Sequence, residues 1–312
     1  MEHSLHLPLA QSAIDRDAIA RDDADLFDRL WENPLTRVLA MHDGKVQLNS
    51  ERQVLTLHEV SRVPSAQLRV YLGKTTEPQG AEPAGTPVVL AVLSKNSADQ
   101  LEANTDAWHG LRATGAGLSA RDAGIYAQAL ALANWHETHK HCPRCGTPTV
   151  VEQGGWSRRC FVDDKQVFPR TDPAVIVSVI DDEDRILLGS QGSWEENRWS
   201  VLAGFVEPGE SLVAAVLREV AEESNIRVVS PEYLGSQAWP FPYSLMIGFT
   251  ARVDSSMGVQ TAVPDGSEIV RLRWFSRDDL LVAAPDIILP SKLTIARALI
   301  DRWFGGEIPG HG

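Results

Sequence analysis

The residues whose types and spacing could do chemistry are the carboxylates of residues 204–226, GFVEPGESLVAAVLREVAEESNI. Glu219, Glu222 and Glu223 stand at i, i+3 and i+4, so on a helix all three side chains project from one face. These like charges repel each other, and Arg218 is the one Lys or Arg in the stretch. A hard divalent cation would stabilise the cluster, because Mg²⁺ binds carboxylates, water and phosphate oxygens together. The alternative interpretation is a solvated helix face.

The pattern of the whole stretch resembles the Nudix box, Gly-x5-Glu-x7-Arg-Glu-U-x-Glu-Glu-x-Gly-U, in which U is apolar. The matching residues are Gly204, Glu210, Arg218, Glu219, Val220, Glu222, Glu223 and Ile226. Asn225 replaces the last glycine, and Asn tolerates the positive φ that would end a helix there. The resemblance implies a Nudix hydrolase, an α/β/α sandwich that binds Mg²⁺ or Mn²⁺ on a diphosphate. Glu210 is expected to pair with Arg218 and to hold the loop.

The same resemblance assigns roles to the carboxylates. Glutamates at the positions of Glu219, Glu222 and Glu223 bind metal in the family, and one of them commonly activates water. We assign the general base to Glu223. Two further metal-binding positions lie outside the helix, at Glu268 and at the backbone of Ala203. Cations held there would neutralise phosphate charge and lower the pKa of bound water.

A proline-rich segment after the box bears on the choice of substrate. Residues 235–246 read GSQAWPFPYSLM. The prolines alone would justify a surface loop, yet two aromatic rings in a stiffened loop also make a platform for stacking a base. The segment resembles the SQPWPFPxS motif of the NAD(H) pyrophosphatases among Nudix enzymes, with Ala238 in place of one proline. The substrate-binding residues implied are Gln237, Ala238, Trp239, Pro240, Phe241, Pro242, Tyr243 and Ser244.

Three more substrate positions follow from this resemblance. Phe205, after the box glycine, and Phe168, before the catalytic domain, match rings that sandwich the adenine or nicotinamide in the family. One such ring is often supplied by the partner subunit. For Phe168, a ring buried in the core is an equally good interpretation. Ala296, in the last helix, matches a position whose backbone contacts the substrate.

The three cysteines of the chain predict a zinc site. Cys142-Pro-Arg-Cys145-Gly has the spacing of a zinc knuckle, in which two thiolates form one side of a tetrahedral site. Cys160-Phe-Val-Asp163 stands where a second Cys-x-x-Cys knuckle should follow, so Asp163 takes the place of the fourth thiolate. A site of three Cys and one Asp is expected to hold structural zinc more weakly than four thiolates. The fallback ligands are His141 and Asp164.

The elements that must position these motifs indicate an α/β protein in three parts. These are an N-terminal α/β domain (1–138), a zinc ribbon (139–169) and a Nudix domain (170–312). We predict helices over 15–31, from the N-cap Ser119, over 211–224 and over 292–304. We predict strands over 54–60, 67–72, 88–93, 228–236, 245–253 and 270–275, and a hairpin around 181–184. The residues expected to pin the carboxylate helix to a sheet are Val213, Val216, Leu217 and Val220.

Composition and charge limit the class of protein. The 312 residues include 29 Lys and Arg against 42 Asp and Glu, a net charge of -13. This acidity argues against a broad cationic surface for nucleic acid but leaves phosphates bridged by metal open. The first residues lack the pattern of a signal peptide, and no apolar run is long enough to span a membrane. We therefore expect a soluble cytoplasmic protein.

The motifs together predict hydrolysis of NAD(H) to nicotinamide mononucleotide and AMP. Relatives also remove NAD caps from RNA 5′ ends, and the family suggests a homodimer with active sites completed across the interface. One alternative is a Nudix hydrolase of another nucleoside diphosphate, such as ADP-ribose or a dinucleoside polyphosphate. Another is a zinc-ribbon module that binds nucleic acid and carries a degenerate Nudix domain. The intact glutamates argue against the second alternative.

Overall fold

The computed structural model describes residues 5, 7–10, 13–51 and 53–309. These residues divide into two compact units. The first unit comprises the described residues between Pro8 and Thr171, together with Trp239–Tyr243. The second comprises Leu5, Leu7, Asp172–Ala238 and the described residues from Ser244 onward. Within these ranges, no helix is both long enough and apolar enough to cross a membrane.

A mixed sheet forms the base of the first unit. Its strands are β1 (Ile14–Asp15), β2 (Arg37–His42), β3 (Lys45–Gln47), β4 (Leu57–Glu59), β5 (Ala66–Thr75), β6 (Pro87–Leu93) and β7 (Trp108–Gly110). They lie in the order β1-β5-β6-β2-β3-β7, with β4 paired to β2, and β2 runs parallel to β6. Val88, Val89 and Leu90 of β6 are completely buried, which is typical of a strand covered on both faces.

Helices of the first unit cover this sheet. They are α1 (Leu26–Glu32), α2 (Lys95–Leu101), α3 (Leu111–Thr114) and α4 (Ala120–Thr138). The predicted N-cap of α4 is confirmed, because the Ser119 side chain accepts a hydrogen bond from the Asp122 N–H. Tyr126 and Trp135 of α4 are completely buried, so this helix is firmly anchored.

Two predictions for the first unit are wrong in part. The helix predicted over 15–31 is limited to a 3-10 helix over Ala18–Asp22 and to α1, because Asp17 has a left-handed backbone (φ 43°) and donates its N–H to the Asp15 side chain at 2.9 Å. Short acidic side chains that bind the nearby backbone in this way favour turns over helix. The strand predicted over 54–60 is limited to β4, since Val60–Arg62 forms a 3-10 turn.

The zinc-ribbon segment adds a small antiparallel sheet. Its strands, β8 (Val150–Glu152), β9 (Ser157–Cys160) and β10 (Lys165–Val167), lie in the order β10-β9-β8. The knuckle ahead of them is closed by a 2.9 Å hydrogen bond from the Gly146 N–H to the Cys142 carbonyl. Gly146 has φ 73°, which glycine adopts without steric cost. The ribbon therefore presents Cys160 at the end of its central strand.

The second unit is built on another mixed sheet. Its strands are β11 (Asp172–Ile180), β12 (Ile186–Gln191), β13 (Leu202–Phe205), β14 (Val228–Trp239), β15 (Ser244–Val253) and β16 (Ile269–Phe275). The order is β14-β15-β11-β12-β16, with β13 paired to β11. Strands β11 and β15 run parallel, and β11 and β12 pair antiparallel across the predicted acidic turn, which confirms the hairpin.

Two apolar clusters lie on opposite faces of this sheet. The helices of the unit are α5 (Leu212–Ser224), α6 (Arg277–Ala283) and α7 (Ile295–Phe304). Val175 and Val177 of β11 pack in the cluster that includes Val216 and Val220 of α5. Ile176 and Ile180 pack in the cluster formed with α7. Because successive side chains of a strand point to opposite faces, β11 divides the two clusters, and the predicted α/β/α sandwich is confirmed.

Candidate active site and zinc ribbon

Helix α5 positions the carboxylates that are predicted to bind metal. It begins at Ser211, whose side chain accepts a hydrogen bond from the Ala214 N–H at 3.1 Å. It ends at Asn225, which has φ 57°. Asn225 thus adopts the left-handed conformation expected where the box has its last glycine. The predicted helix and its stop are both confirmed.

The buried face of α5 differs from the predicted one. Val216 and Val220 are completely buried, but Val213 and Leu217 are 46% and 38% exposed. The buried arc runs instead through Glu223, which is 4% exposed. An ionisable side chain therefore occupies the core-facing side of the helix, where an apolar residue would be the ordinary choice.

The three glutamates of α5 differ in depth. Glu223 is buried, the Glu219 side chain is 14% exposed and the Glu222 side chain is 62% exposed. Arg218 lies 2.9 Å from Glu219 and 3.0 Å from Glu222, so it neutralises part of the charge at the outer edge. No cation among the described residues is paired with Glu223. The carboxyl group without a cationic partner therefore lies at the inner end of the cluster.

Arg218 also organises the loop that precedes α5. Its guanidinium donates to both oxygens of Glu210, at 2.9 and 2.8 Å, and to the Phe205 carbonyl at 3.0 Å. The predicted pair of Glu210 and Arg218 is confirmed. Because one planar group binds the loop at two points, it fixes the path of the chain from β13 into α5.

The electrostatics of Glu223 are those of a carboxyl group placed to receive a proton or a cation. Burial, together with the charges of Glu268, Glu219 and Asp265, raises its pKa to about 8, against the lowering effect of a hydrogen bond from the Ala203 backbone. Its Oε2 atom has no hydrogen-bond partner among the described residues. Burial likewise raises the pKa of Glu219, against the lowering effect of Arg218.

Glu268 is presented by a turn outside the helix. The Asp265 side chain accepts hydrogen bonds from the N–H groups of Ser267 and Glu268, the latter at 2.8 Å. Gln191 lies 3.4 Å from the Glu268 carboxylate. Sequence reasoning did not assign a role to Asp265, although an Asp-Gly turn three residues before Glu268 was the available signal.

The donor set assembled in the second unit fits a hard divalent cation. The charge of Glu268 acts on both Glu219 and Glu223, the Ala203 backbone forms a hydrogen bond with Glu223, and Glu222 lies at the rim beside Glu219. All of these groups offer oxygen, which Mg²⁺ and Mn²⁺ prefer. A bound cation would also supply the partner that the buried Glu223 oxygen lacks.

The predicted substrate residues of the second unit have distinct environments. Phe205 is 60% exposed at the end of β13, and Ala296 is buried in α7. Gln237 is completely buried; its Nε2 donates to the Leu293 carbonyl and its Oε1 accepts from the Ile295 N–H, both at 2.8 Å. Both ends of this amide thus tie β14 to the start of α7. Ala238 follows in β14, and Ser244 begins β15.

The predicted aromatic loop belongs to the first unit. The rings of Trp239 and Phe241 are edge to face, with centroids 4.8 Å apart, and the Tyr243 ring lies 5.9 Å from that of His139. Pro240 is buried and Pro242 is exposed. Phe168 is 57% exposed, so the interpretation of a ring buried in the core is wrong.

The predicted zinc ligands converge. The ligand atoms of Cys142, Cys145, Cys160 and Asp163 all lie within 4.8 Å of one another. The Cys142 and Asp163 ligand atoms are 3.4 Å apart and the Cys145 and Cys160 sulfurs 3.5 Å apart. Ligand atoms of a tetrahedral zinc ion lie roughly 3.3–3.8 Å from one another, a range that both of these separations match. Asp164, a fallback ligand, instead pairs with Arg159 at 3.0 Å.

Models of known families match three consecutive parts of the chain. Residues 35–135 match the NADH pyrophosphatase-like rudimentary NUDIX domain, residues 137–166 the NADH pyrophosphatase zinc ribbon domain, and residues 170–297 the NUDIX domain. The chain contains a Nudix domain. Its Nudix box is the loop and helix that carry Glu210, Arg218 and the three glutamates of α5.

Curated relatives of this Nudix protein have names that refer to RNA caps. A protein of Mycobacterium tuberculosis (strain ATCC 25618 / H37Rv), "NAD-capped RNA hydrolase NudC", is 40% identical over 207 residues, which cover 63% of this chain and 65% of that protein. The Homo sapiens protein "NAD-capped RNA hydrolase NUDT12" is 38% identical over 201 residues, covering 60% and 42%. The matches thus span less than two thirds of either relative.

Solved Nudix structures are more distant. The crystal structure of a NUDIX hydrolase from Nitrosomonas europaea aligns with a TM-score of 0.43 at 22% identity, covering 55% of this chain and 96% of that one.

Proposed function

We propose that this Nudix protein is a hydrolase of NAD(H) that depends on a divalent cation and forms nicotinamide mononucleotide and AMP. We further propose that it removes NAD caps from RNA 5′ ends. The observation that carries the proposal is the loop with the paired rings of Trp239 and Phe241 in a chain that also holds the carboxylate site of α5. The three family models and the names of the relatives support it.

The carboxylate site provides the chemistry of the proposed reaction. Glu219, Glu222, Glu223, Glu268 and the Ala203 backbone would hold Mg²⁺ or Mn²⁺, which neutralises phosphate charge and makes water more acidic. Glu223 is the proposed general base, because its buried Oε2 atom has no hydrogen-bond partner among the described residues and is free to accept a proton from water. The water oxygen then bonds to one phosphorus, and the bond from that phosphorus to the bridging oxygen breaks. Two monophosphates are released.

The aromatic residues provide the proposed selectivity for a dinucleotide. Trp239 and Phe241, together with the exposed rings of Phe168 and Phe205, offer surfaces on which adenine or nicotinamide can stack. The protein as a whole is acidic, with a net charge of -13. We therefore propose that a capped RNA is bound at its end, through metal and stacking, rather than along an extended cationic surface.

Product analysis tests this function. The purified protein is incubated with NADH, ADP-ribose and NAD-capped RNA at matched concentrations, with Mg²⁺ and with Mn²⁺ in separate reactions. We expect nicotinamide mononucleotide and AMP from NADH, and 5′-monophosphate RNA from the capped RNA. A kcat/KM for ADP-ribose at least tenfold above that for NADH would favour a Nudix hydrolase of another nucleoside diphosphate.

We also propose that Cys142, Cys145, Cys160 and Asp163 bind structural zinc and that the protein forms a homodimer. Elemental analysis of the purified protein should give about one zinc per chain, and chelation should lower its melting temperature. An absence of zinc together with a melting temperature that chelator leaves unaltered would contradict the zinc site.

Sedimentation equilibrium of the purified protein tests the proposed homodimer. The cytoplasmic location stays a prediction.

A further inference from the structure

The loop Trp239–Tyr243 packs with the first unit, although both strands that it joins belong to the second. Strand β14 leads into the loop and β15 leaves it. Side chains of Asn134 in α4 and Arg112 in α3 contact the loop directly. The loop therefore takes its conformation from the N-terminal domain, the part of the chain without a catalytic motif.

Asn134 binds the loop backbone on both sides of Phe241. Its Nδ2 donates to the Pro240 carbonyl at 3.0 Å and to the Pro242 carbonyl at 3.1 Å. Neither proline has an N–H, so this stretch of backbone has few donors of its own. A single side-chain amide has two protons and can satisfy both carbonyls. Because the neighbouring Trp135 is completely buried, Asn134 is part of a well-anchored helix.

Arg112 binds the rings of the same loop. Its guanidinium carbon lies 4.1 Å from the Phe241 ring centroid and 5.2 Å from the Trp239 ring centroid. Each distance is within the range in which a cation is attracted to an aromatic face. The edge-to-face pair of Trp239 and Phe241 is thus completed by a third planar group, which limits rotation of both rings.

We propose that Asn134 and Arg112 are positioning residues for substrate recognition. They hold the Trp239 and Phe241 rings in the orientation that stacks on a base of the substrate, and they do so from a domain that supplies no group to the reaction. This inference rests on the proposed function in one respect, namely that the loop binds the substrate. It gives the rudimentary N-terminal domain a role in affinity rather than in catalysis.

Steady-state kinetics of the full-length, metal-loaded protein test the role in affinity. Asn134→Asp keeps the size of the side chain but places a carboxylate against two carbonyls, and Arg112→Ala removes the cation. We expect each to raise the KM for NADH at least about fivefold, since the loss of a single hydrogen bond or cation–π contact has about that effect, with kcat within about twofold of the parent. Arg112→Lys, which keeps the charge, should raise KM less than Arg112→Ala.

A matched control is available in the same domain. The guanidinium of Arg69 lies 4.0 Å from the Trp31 ring centroid, and neither residue belongs to the loop. Arg69→Ala removes an equivalent contact, so its KM and kcat should equal those of the parent. A KM that rises equally in Arg69→Ala and Arg112→Ala would overturn the proposal, as would a fall in kcat at constant KM.

Hydrogen exchange followed by mass spectrometry reports on the loop without any substrate. We expect faster exchange in a peptide spanning 237–245 in both Asn134→Asp and Arg112→Ala, with peptides of α5 unchanged. Faster exchange combined with an unchanged KM would overturn the role in recognition, and unchanged exchange would overturn the role in positioning. If the parent protein does not hydrolyse NADH, the proposed function fails. The positioning role of Asn134 and Arg112 is then tested by hydrogen exchange in the 237–245 peptide and by the KM for whichever nucleoside diphosphate the parent cleaves.

Discussion

The Glu219 carboxylate occupies the space beside Gly204 that a side chain at position 204 would need. A Cβ built on Gly204 would overlap the carboxyl group of Glu219. Glycine at this position of β13 therefore lets a carboxylate of α5 lie directly against the strand. The box glycine is explained by this close approach, and its φ lies outside the left-handed region.

This contact predicts the effect of Gly204→Ala. The added methyl group displaces the Glu219 carboxylate, which is the flexible end of its side chain, so the fold should tolerate the change. We expect diphosphate hydrolysis to fall at least about 100-fold while the melting temperature changes by no more than a few degrees. Gly117→Ala is the control, because no atom of the described residues, other than those of its chain neighbours, lies within 4 Å of the added methyl group. Full activity in Gly204→Ala would show that the Glu219 carboxylate is not part of the active site.

Glu223→Gln tests the assignment of the general base. The amide has the size of the carboxyl group but cannot accept a proton from water, so turnover should fall about 10²–10⁴-fold. Glu223 lies near other acidic groups, and we therefore expect the melting temperature of the metal-free protein to rise. Initial rates and thermal melts of Glu223→Gln are compared with those of Glu232→Gln, an exposed residue of β14. Turnover close to that of the parent would rule out Glu223 as the base.

The carboxylate of Asp163 is expected to bind zinc more weakly than a fourth thiolate would. Asp163→Cys supplies a fourth thiolate and should slow the release of zinc to a chelator, whereas Asp163→Ala should accelerate it at least about tenfold. Zinc release is followed with a colorimetric chelator. Asp164→Ala is the matched control, since that exposed side chain pairs with Arg159. Equal release rates in Asp163→Ala and Asp164→Ala would show that Asp163 is not a ligand.

Protonation of the buried His136 ring is expected to lower the free energy of unfolding in acid. Its Nε2 lies 2.8 Å from the Gly155 carbonyl and its Nδ1 lies 3.0 Å from the Arg158 guanidinium, so the neutral ring donates to the first and accepts from the second. Burial lowers the pKa of His136 to about 4. Since this pKa is below the unfolded value of about 6.5, the stabilisation is complete above pH 6.5 and is lost as the pH falls towards 4.

The loss should be on the order of 3 kcal/mol by pH 4, from the difference between the two pKa values. Denaturant unfolding of the parent and of His136→Gln between pH 7.5 and 4 measures it. The variant should be less stable at neutral pH and should depend less steeply on pH over this interval. His42→Gln serves as the control for the general acid sensitivity of the carboxylates and the zinc site. Parallel pH profiles for the parent and His136→Gln would contradict the prediction.

Local signals predicted the carboxylate helix α5 well. The spacing of Glu219, Glu222 and Glu223 and the Asn225 stop depend on helix periodicity and on the conformations that single residues tolerate. The depth of each glutamate could not be predicted, because burial depends on how α5 packs on β13 and β11. The apolar residues Val213 and Leu217 are partly exposed for the same reason, and Glu223 takes the inner position.

The sequence by itself determined the box, the cluster of three cysteines and Asp163, and the aromatic loop, since each is a short pattern whose residue types suit one kind of chemistry. The alternation and length of apolar runs also indicated the α/β character of the N-terminal domain and of the Nudix domain. Tertiary structure alone decided that Asn134 and Arg112 hold the aromatic loop, because these residues lie 106 and about 130 positions from their partners and belong to no motif. It also decided that Glu223 is buried beside Glu268, since two charges far apart in sequence become neighbours only when the sheet and the helix pack together.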